Sequence, residues 1–214
     1  LNYGDWQMEI RRLARGLYEF GLMPGDHLVS ELSNRLETAS LYWACQTLGV
    51  IFTPFNWRAT AEEVAYVLKD AGAKMVAYED RSAASVLPAA GEIGLPKEGL
   101  IHIEQEGDGI AFADLLSAQP FDGSLVEDDR AISLMLYTSG TTGRPKGAVN
   151  SHRAICGFVQ TAMLGGARGM LSALGRGVTP ESNPPPTVSL QTVPLFHLSG
   201  LYAGTTMMLA IGAT

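Results

Sequence analysis

Cysteine is scarce in this sequence, and its two cysteines, Cys45 and Cys156, are far apart in the chain. No Cys-x-x-Cys pair occurs, so neither a disulfide framework nor a zinc site of that kind is expected. Both cysteines stand among apolar residues, which favours buried thiols in a reducing compartment. We therefore predict a cytoplasmic protein.

An excess of positive charge is also missing. Fifteen Lys and Arg residues stand against 22 Asp and Glu, a formal net charge of −7. Binding to duplex nucleic acid depends on cations that neutralise phosphates, so no nucleic-acid partner is expected. With 46% hydrophobic and 17% charged residues, the chain is too apolar to be intrinsically disordered.

Long uninterrupted apolar runs are absent as well. Residues 182–214 contain no Lys, Arg, Asp or Glu. Prolines, His197 and many small polar residues nevertheless break this stretch into short apolar runs. A membrane-spanning helix needs about 20 mostly apolar residues in succession, so we predict no integral span. A buried strand and a core helix, within 187–211, fit this stretch better. No secretory signal pattern stands at the start of the sequence.

The charge is unevenly distributed along the chain. Residues 1–130 hold 10 Lys and Arg against 21 Asp and Glu, whereas residues 131–214 hold 5 against 1. The second segment can therefore attract a small anion although the whole chain is acidic. A chance asymmetry of a solvated surface is the alternative interpretation.

Helix and strand patterns alternate over the first segment. Helices are predicted at 5–20, 36–48, from the Thr60 capping box to Gly72, 81–90 and 110–118, and strands at 27–30, 50–53, 75–78 and 100–103. This alternation predicts an α/β fold with a mixed, mostly parallel sheet and helices on both faces. The polar stretch 119–130 is interpreted as a linker. It divides a first subdomain, 1–130, from the start of a second, 131–214.

The second segment contains a loop between two strand patterns. A buried strand is predicted at 132–137, a short strand at 148–149, a helix at 152–164 and a long loop at 165–187. The intervening loop combines three glycines, four hydroxyl side chains and the cations Arg144 and Lys146. Clustered N–H groups beside a cation suit phosphate oxygens. A plain surface turn is the alternative, since Gly, Ser and Thr are common turn residues.

The loop does not fit the P-loop of nucleoside triphosphatases, G-x-x-x-x-G-K-[ST]. Counted from Gly140, the second glycine is replaced by Pro145, and the hydroxyl residue after the lysine is replaced by Gly147. A strand pattern follows the lysine, where a P-loop requires a helix.

Residues 137–147, YTSGTTGRPKG, instead resemble the signature of the adenylate-forming enzymes. This superfamily includes acyl-CoA synthetases, adenylation domains of peptide synthetases and luciferases. Residues 43–63 resemble its early helix–strand–helix, and residues 194–201 resemble the segment that lines its acyl and adenylate pocket. The resemblance covers essentially the whole chain and implies the partial N-terminal domain of an acyl-CoA synthetase-like fold.

The resemblance implies a two-step ligase reaction. A carboxylate attacks the α-phosphorus of ATP, and a thiol, usually of coenzyme A, then displaces AMP. The residues implied to hold the β- and γ-phosphates are Thr138, Ser139, Gly140, Thr141, Thr142, Gly143 and Lys146. Thr138 is also implied as a Mg²⁺ ligand. Lys146 and His197 are implied in catalysis, with His197 between the acyl carboxylate and the adenylate.

The resemblance leaves the substrate and the state of the chain open. A medium- or long-chain fatty acid is the first expectation, although Leu201 stands where some long-chain enzymes have a gating Trp. Aryl-acid or amino-acid activation is the alternative. Family members are more than twice as long, so the C-terminal domain is expected to be absent. The chain alone is then expected to be inactive and to associate with itself, and a non-catalytic fragment that at most binds phosphate is the alternative function.

Overall fold

The structure is a computed structural model, and it describes residues 2–104, 106–138, 144–179 and 185–213. The strands are β1 His27–Glu31, β2 Ile51–Pro54, β3 Ala73–Tyr78, β4 Leu100–His102, β5 Ile110–Ala111, β6 Ile132–Thr138 and β7 Lys146–Ser151. The helices are α1 Tyr3–Glu19, α2 Leu36–Leu48, α3 Ala61–Ala71, α4 Asp80–Ile93, α5 His152–Gly175 and α6 Met208–Ala210. A π-helical segment, Ser199–Met207, leads directly into α6.

The seven strands form one sheet in the order β5-β4-β3-β1-β2-β6-β7. Strands β1 to β6 are paired in parallel, and β7 is antiparallel to β6. The predicted α/β class with a mixed, mostly parallel sheet is therefore confirmed. Strand β6 joins β2 through the pair Phe52 and Leu134, so the sheet continues across the predicted subdomain boundary at residue 130. The division into two subdomains stays a prediction.

Helices cover both faces of the sheet, as predicted. On one face, Leu28 and Phe52 pack with Tyr42 of α2 and Leu13 of α1 in a single buried cluster. On the other face, a second cluster joins the side chains of β1 and β3 to those of α3 and α4. Successive strand residues point to opposite faces, so neighbouring Leu28 and Val29 enter different clusters.

Local signals set the helix ends. The Thr60 hydroxyl accepts from the Glu63 N–H, the Glu63 carboxylate accepts from the Thr60 N–H, and this confirms the predicted capping box. Helix α3 ends at Gly72 in the left-handed conformation, with φ of 63°. The helix therefore begins and ends where the sequence predicts.

The helix predicted at 110–118 is wrong. Ile110 and Ala111 form β5, paired with Ile101 and His102 of β4, and a short 3₁₀ turn, Phe112–Leu115, follows. The backbone hydrogen bonds of this segment go to the sheet edge, and this pairing overrides the local helical pattern. The predicted linker 119–130 has no regular element but is fixed to the body, since the N–H of Leu125 donates to the Thr47 carbonyl at 3.0 Å.

The second segment differs from its prediction at two places. Helix α5 continues to Gly175, so the loop predicted at 165–187 begins too early. Each glycine costs a helix about 1 kcal/mol relative to Ala, but glycine keeps the backbone N–H that proline lacks, and no proline interrupts residues 152–175. The helix predicted within 187–211 is present, but the described residues of that stretch contain no strand. None of the helices in the described ranges has both the length and the apolar character to cross a membrane.

The two cysteines are free thiols, as predicted, but only Cys45 is buried. The expectation of a buried Cys156 is wrong, because α5 is largely exposed and Ile155 is its one buried residue among those described.

Glu31, at the carboxyl end of β1, is a buried carboxyl group. Its exposed fraction is 0%, and neither carboxyl oxygen has a hydrogen-bond partner among the described residues. Burial raises the pKa of Glu31 well above its ordinary value, and the nearby charge of Glu63 adds to the rise. The folded state therefore favours the neutral carboxyl group.

We expect this carboxyl group to make the protein less stable as the pH rises. The pKa of Glu31 is higher in the folded state than in the unfolded state. The contribution of Glu31 to the free energy of unfolding is therefore fully present below the unfolded pKa and is lost as the pH rises through the folded pKa. Glu31→Gln keeps the size and removes the ionisation, so its stability relative to the unmodified protein should increase with pH. Urea unfolding across a pH series measures the difference.

Glu98→Gln is the matched control, since Glu98 is exposed. If the free energies of unfolding of the Glu31→Gln variant and the unmodified protein differ by the same amount at every pH, the result contradicts a buried, neutral Glu31.

Candidate functional site

A cavity of about 520 Å³ lies where β2 and β6 end side by side. It is lined by Pro54, Phe55, Asn56, Arg58, Ala59, Glu63, Tyr137, Thr138, Pro145, Phe196 and His197. Open α/β sheets bind ligands outside the carboxyl ends of their parallel strands, and this cavity has that position. The cavity brings together Thr138 and His197, two predicted site residues that are far apart in the sequence.

Thr138 and Lys146 face each other across the end of the β6–β7 pair. Both are exposed, and Lys146 has no carboxylate within ion-pair distance in the described part of the chain. The hydroxyl and the ammonium group are thus available to an anion. The other predicted phosphate-binding residues, Ser139, Gly140, Thr141, Thr142 and Gly143, lie outside the described residues, and their contacts stay predictions.

Helix α3 holds the strands on both sides of this loop. The Tyr66 hydroxyl donates to the carbonyl of Pro145 at 3.1 Å, and the Arg144 guanidinium lies 5.6 Å from the centre of the Tyr66 ring. The Tyr137 hydroxyl donates to a carboxylate oxygen of Asp70 at 2.7 Å. Burial raises the pKa of Tyr137, and the hydrogen bond to Asp70 raises it further, so the phenol remains a donor.

Sequence reasoning missed Tyr66 and Asp70. Their spacing of four residues places them on one face of α3, which was the available signal. An aromatic residue on such a face usually belongs to the core, so the pattern alone does not reveal a loop anchor.

His197 lies exposed at the cavity, at a turn. Its N–H donates to the carbonyl of Pro194 at 3.0 Å, and its ring centre is 4.5 Å from that of Phe196. Two other histidines have structural partners: Nδ1 of His27 is 3.0 Å from the Thr53 hydroxyl, and Nδ1 of His102 is 2.8 Å from the Glu104 carbonyl. The fourth histidine, His152, is the first residue of α5, and burial lowers the pKa of its imidazole.

Arg58 is a cavity residue that sequence reasoning did not single out. Its guanidinium lies 4.0 Å from the centre of the Trp57 ring, and Arg81 approaches the same ring at 5.8 Å. Trp57 thus takes part in a cation–π stack that orients the positive charge of Arg58. The signal available in the sequence was an Arg in the short segment between a strand and a helix.

A larger cavity, of about 840 Å³, lies elsewhere, between α1, α2 and the end of the chain. Its lining includes Trp6, Ile10 and Leu209 and none of the predicted site residues. We therefore place the candidate site in the smaller cavity, where polar groups and a cation converge.

A model of the AMP-binding enzyme family matches residues 1–214. The chain belongs to that family. It is 29% identical to the fatty acid–[acyl-carrier-protein] ligase ScoC of Streptomyces coeruleorubidus, over 97% of this chain and 38% of that protein. It is 30% identical to the long-chain-fatty-acid–CoA ligase FadD13 of Mycobacterium tuberculosis, over 72% of this chain and 30% of that protein.

Among solved structures, a benzoate CoA ligase from Burkholderia xenovorans LB400 superposes with a TM-score of 0.79. The match covers 100% of this chain and 39% of that one at 21% identity, so it shows the shared fold. The chain thus spans less than half the length of these relatives.

Tyr66→Phe tests the attachment of the loop to α3. The change removes the hydroxyl that donates to Pro145 but keeps the ring under Arg144, so we expect a loss of about 0.5–1.5 kcal/mol in the free energy of unfolding. Denaturant unfolding measures it. Tyr18→Phe is the control, since the Tyr18 ring packs on Phe121 at 5.5 Å and its hydroxyl has no partner among the described residues. Equal stability of the two variants would show that the Tyr66 hydroxyl contributes nothing.

Proposed function

We propose that these residues form part of an ATP-dependent acid–thiol ligase that activates a carboxylic acid and transfers the acyl group to coenzyme A. The observation that carries the proposal is the cavity that joins Thr138, Pro145 and His197 at the carboxyl edge of the sheet. Membership of the AMP-binding family over the whole chain supports it.

In the proposed reaction, the described residues act by position and charge. The Lys146 ammonium and the Thr138 hydroxyl lie opposite each other and would donate to phosphate oxygens. The His197 imidazole, which lines the same cavity as Thr138, would orient the acid carboxylate towards the α-phosphorus. ATP supplies the electrophilic phosphorus and the leaving pyrophosphate. Thr138 and Lys146 would then stabilise charge on the phosphates while His197 holds the nucleophile.

The described residues fit a phosphate better than they fit a complete Mg²⁺ site. Thr138 supplies one hydroxyl oxygen, a ligand type that Mg²⁺ accepts. No group of three His, Cys, Asp or Glu side chains able to hold a metal occurs in the described ranges. Thr138 would therefore contribute one ligand, and other residues, water and the substrate phosphates would supply the rest.

A medium- or long-chain fatty acid is the proposed acid. The names of ScoC and FadD13 support this choice, whereas the benzoate CoA ligase supports the aryl-acid alternative. The name of ScoC also makes a carrier-protein thiol the alternative acceptor to coenzyme A. Pyrophosphate exchange by the full-length protein, with fatty, aryl and amino acids compared, tests the acid. Absence of exchange with every acid would contradict the ligase.

Lys146→Ala should slow acyl-adenylate formation in the full-length protein. Lys146 is the only lysine after Lys97 in this chain, so no neighbouring lysine replaces it. Loss of a charge-assisted contact should cost about 1.5–3 kcal/mol, or roughly tenfold to a hundredfold in rate. Lys97→Ala is the control, because Lys97 pairs with Asp108 at 3.1 Å on the surface. Unchanged adenylation combined with failed thioester formation would contradict a phosphate role for Lys146.

The 214 residues alone should not turn over. They span 38% of the length of ScoC, and a water-excluding site, in which electrostatic stabilisation becomes strong, needs groups on every side of the ligand. We expect weak or undetectable ATP binding by calorimetry and no pyrophosphate exchange. We also expect self-association in light scattering, because α5 exposes Leu164 and Leu171. Acyl-adenylate formation by the purified chain would contradict this prediction.

A further inference from the structure

The segment that precedes His197 is held by one side chain from the opposite half of the chain. Asn34 lies in the loop between β1 and α2, and its Nδ2 group donates to the carbonyl of Val193 at 3.0 Å and to that of Gln191 at 3.4 Å. Its Oδ1 atom accepts from the N–H of Leu195 at 2.8 Å. One amide group thus satisfies three main-chain groups of an irregular segment, which otherwise lacks the partners that a helix or strand would provide.

The loop that carries Asn34 is itself fixed. The next residue, Arg35, donates to Glu79 at 3.2 Å and to Glu104 at 2.5 Å, two carboxylates that follow β3 and β4. The Ser33 hydroxyl donates to Glu79 at 3.0 Å. Asn34 is therefore presented from a rigid part of the sheet edge, and this makes it suited to fix the position of another segment.

The same segment also packs closely against two glycines of the π-helical segment, Gly200 and Gly204. A Cβ atom on Gly200 would collide with the Pro194 carbonyl and lie 2.9 Å from the Val193 carbonyl oxygen. A Cβ atom on Gly204 would collide with the side-chain amide of Gln191, not with its main chain. The main-chain carbonyl of Val193 is thus contacted both by Asn34 and by the close approach of Gly200.

We propose that Asn34 is a positioning residue for His197, an inference that rests on the proposed ligase function. The segment fixed by Asn34 ends at Leu195, and the His197 N–H closes the next turn on Pro194. Asn34 is absent from the lining of the cavity, whereas His197 is part of it. Asn34 therefore acts on the reaction through His197, by setting where the imidazole stands relative to Thr138.

The test uses pyrophosphate exchange by the full-length protein. Asn34→Ala should lower kcat by roughly tenfold to a hundredfold, the effect of a small misplacement of a reacting group, and leave KM for ATP within about twofold. The double variant with His197→Ala should match His197→Ala alone within about twofold, since residues that act through one group are not additive. If the loss of kcat in the double variant equals the product of the losses in the two single variants, the proposal is overturned.

Ser124→Ala is the matched control. Its hydroxyl donates to the Thr47 carbonyl at 3.0 Å and accepts from the Val126 N–H at 3.2 Å, a bridge to main-chain groups distant from the cavity. Activity of Asn34→Ala equal to that of Ser124→Ala would also overturn the proposal.

If Asn34→Ala fails to fold, Gly200→Ala perturbs the same segment, because it adds a methyl group against the Pro194 carbonyl. It should lower kcat by a similar factor, again without a further loss in the His197→Ala background, and normal activity of this variant would overturn the proposal. An unmodified protein that is inactive with every acid would instead overturn the ligase function. The two failures are thus distinguishable.

Discussion

The parallel direction of β1 to β6 is the constraint on which the rest of the structure depends. Because all six strands end at the same edge, every loop that follows a strand begins there. Asn34 follows β1, Arg58 follows β2, Glu79 follows β3 and Thr138 ends β6. Residues separated by a hundred positions in sequence are thus neighbours at one edge, and the pairing of β6 with β2 places the loop of the second segment beside the first.

Charge is separated along that edge. On the β3–β4 side, Arg35 joins three carboxylates, those of Glu37, Glu79 and Glu104. Glu79 has an exposed side-chain fraction of only 2%, so Arg35 compensates a charge that water cannot reach. On the β2–β6 side, Lys146 has no such carboxylate among the described residues, and its charge remains available to a ligand. Within the cavity itself the charge is mixed, because both Arg58 and the carboxylate of Glu63 line it.

The strands and helices that the sequence predicts well are those with strong local signals. The Thr60 cap and Gly72 define α3, and the apolar run before Thr138 defines β6, because capping and strand burial depend on residues close in sequence. The local pattern predicts a helix at Ile110, and this prediction is wrong because Ile110 pairs with Ile101 on another strand. The residues around Ile110 do not reveal that partner.

Prediction of the candidate site is likewise limited to residues whose own neighbourhood carries a recognisable pattern. Thr138, Lys146 and His197 are predicted as site residues from the resemblance of motifs. Asn34 and Tyr66 act on the main chain of distant segments, and no pattern in their own neighbourhood reveals those partners.

The predicted phosphate loop lies between a well-packed strand, β6, and a poorly packed one, β7. Leu134 and Leu136 of β6 are buried, whereas β7 is mostly exposed and Val149 has an exposed fraction of 54%. Elements with few buried contacts open at lower free energy than the core, and ligand-binding loops are commonly of this kind. The contacts of Tyr66 with Pro145 and Arg144 compensate for the sparse packing of β7, because they attach the β7 end of the loop to α3. The position of Lys146 therefore depends on α3 as well as on the sheet, although α3 contributes none of the predicted phosphate ligands.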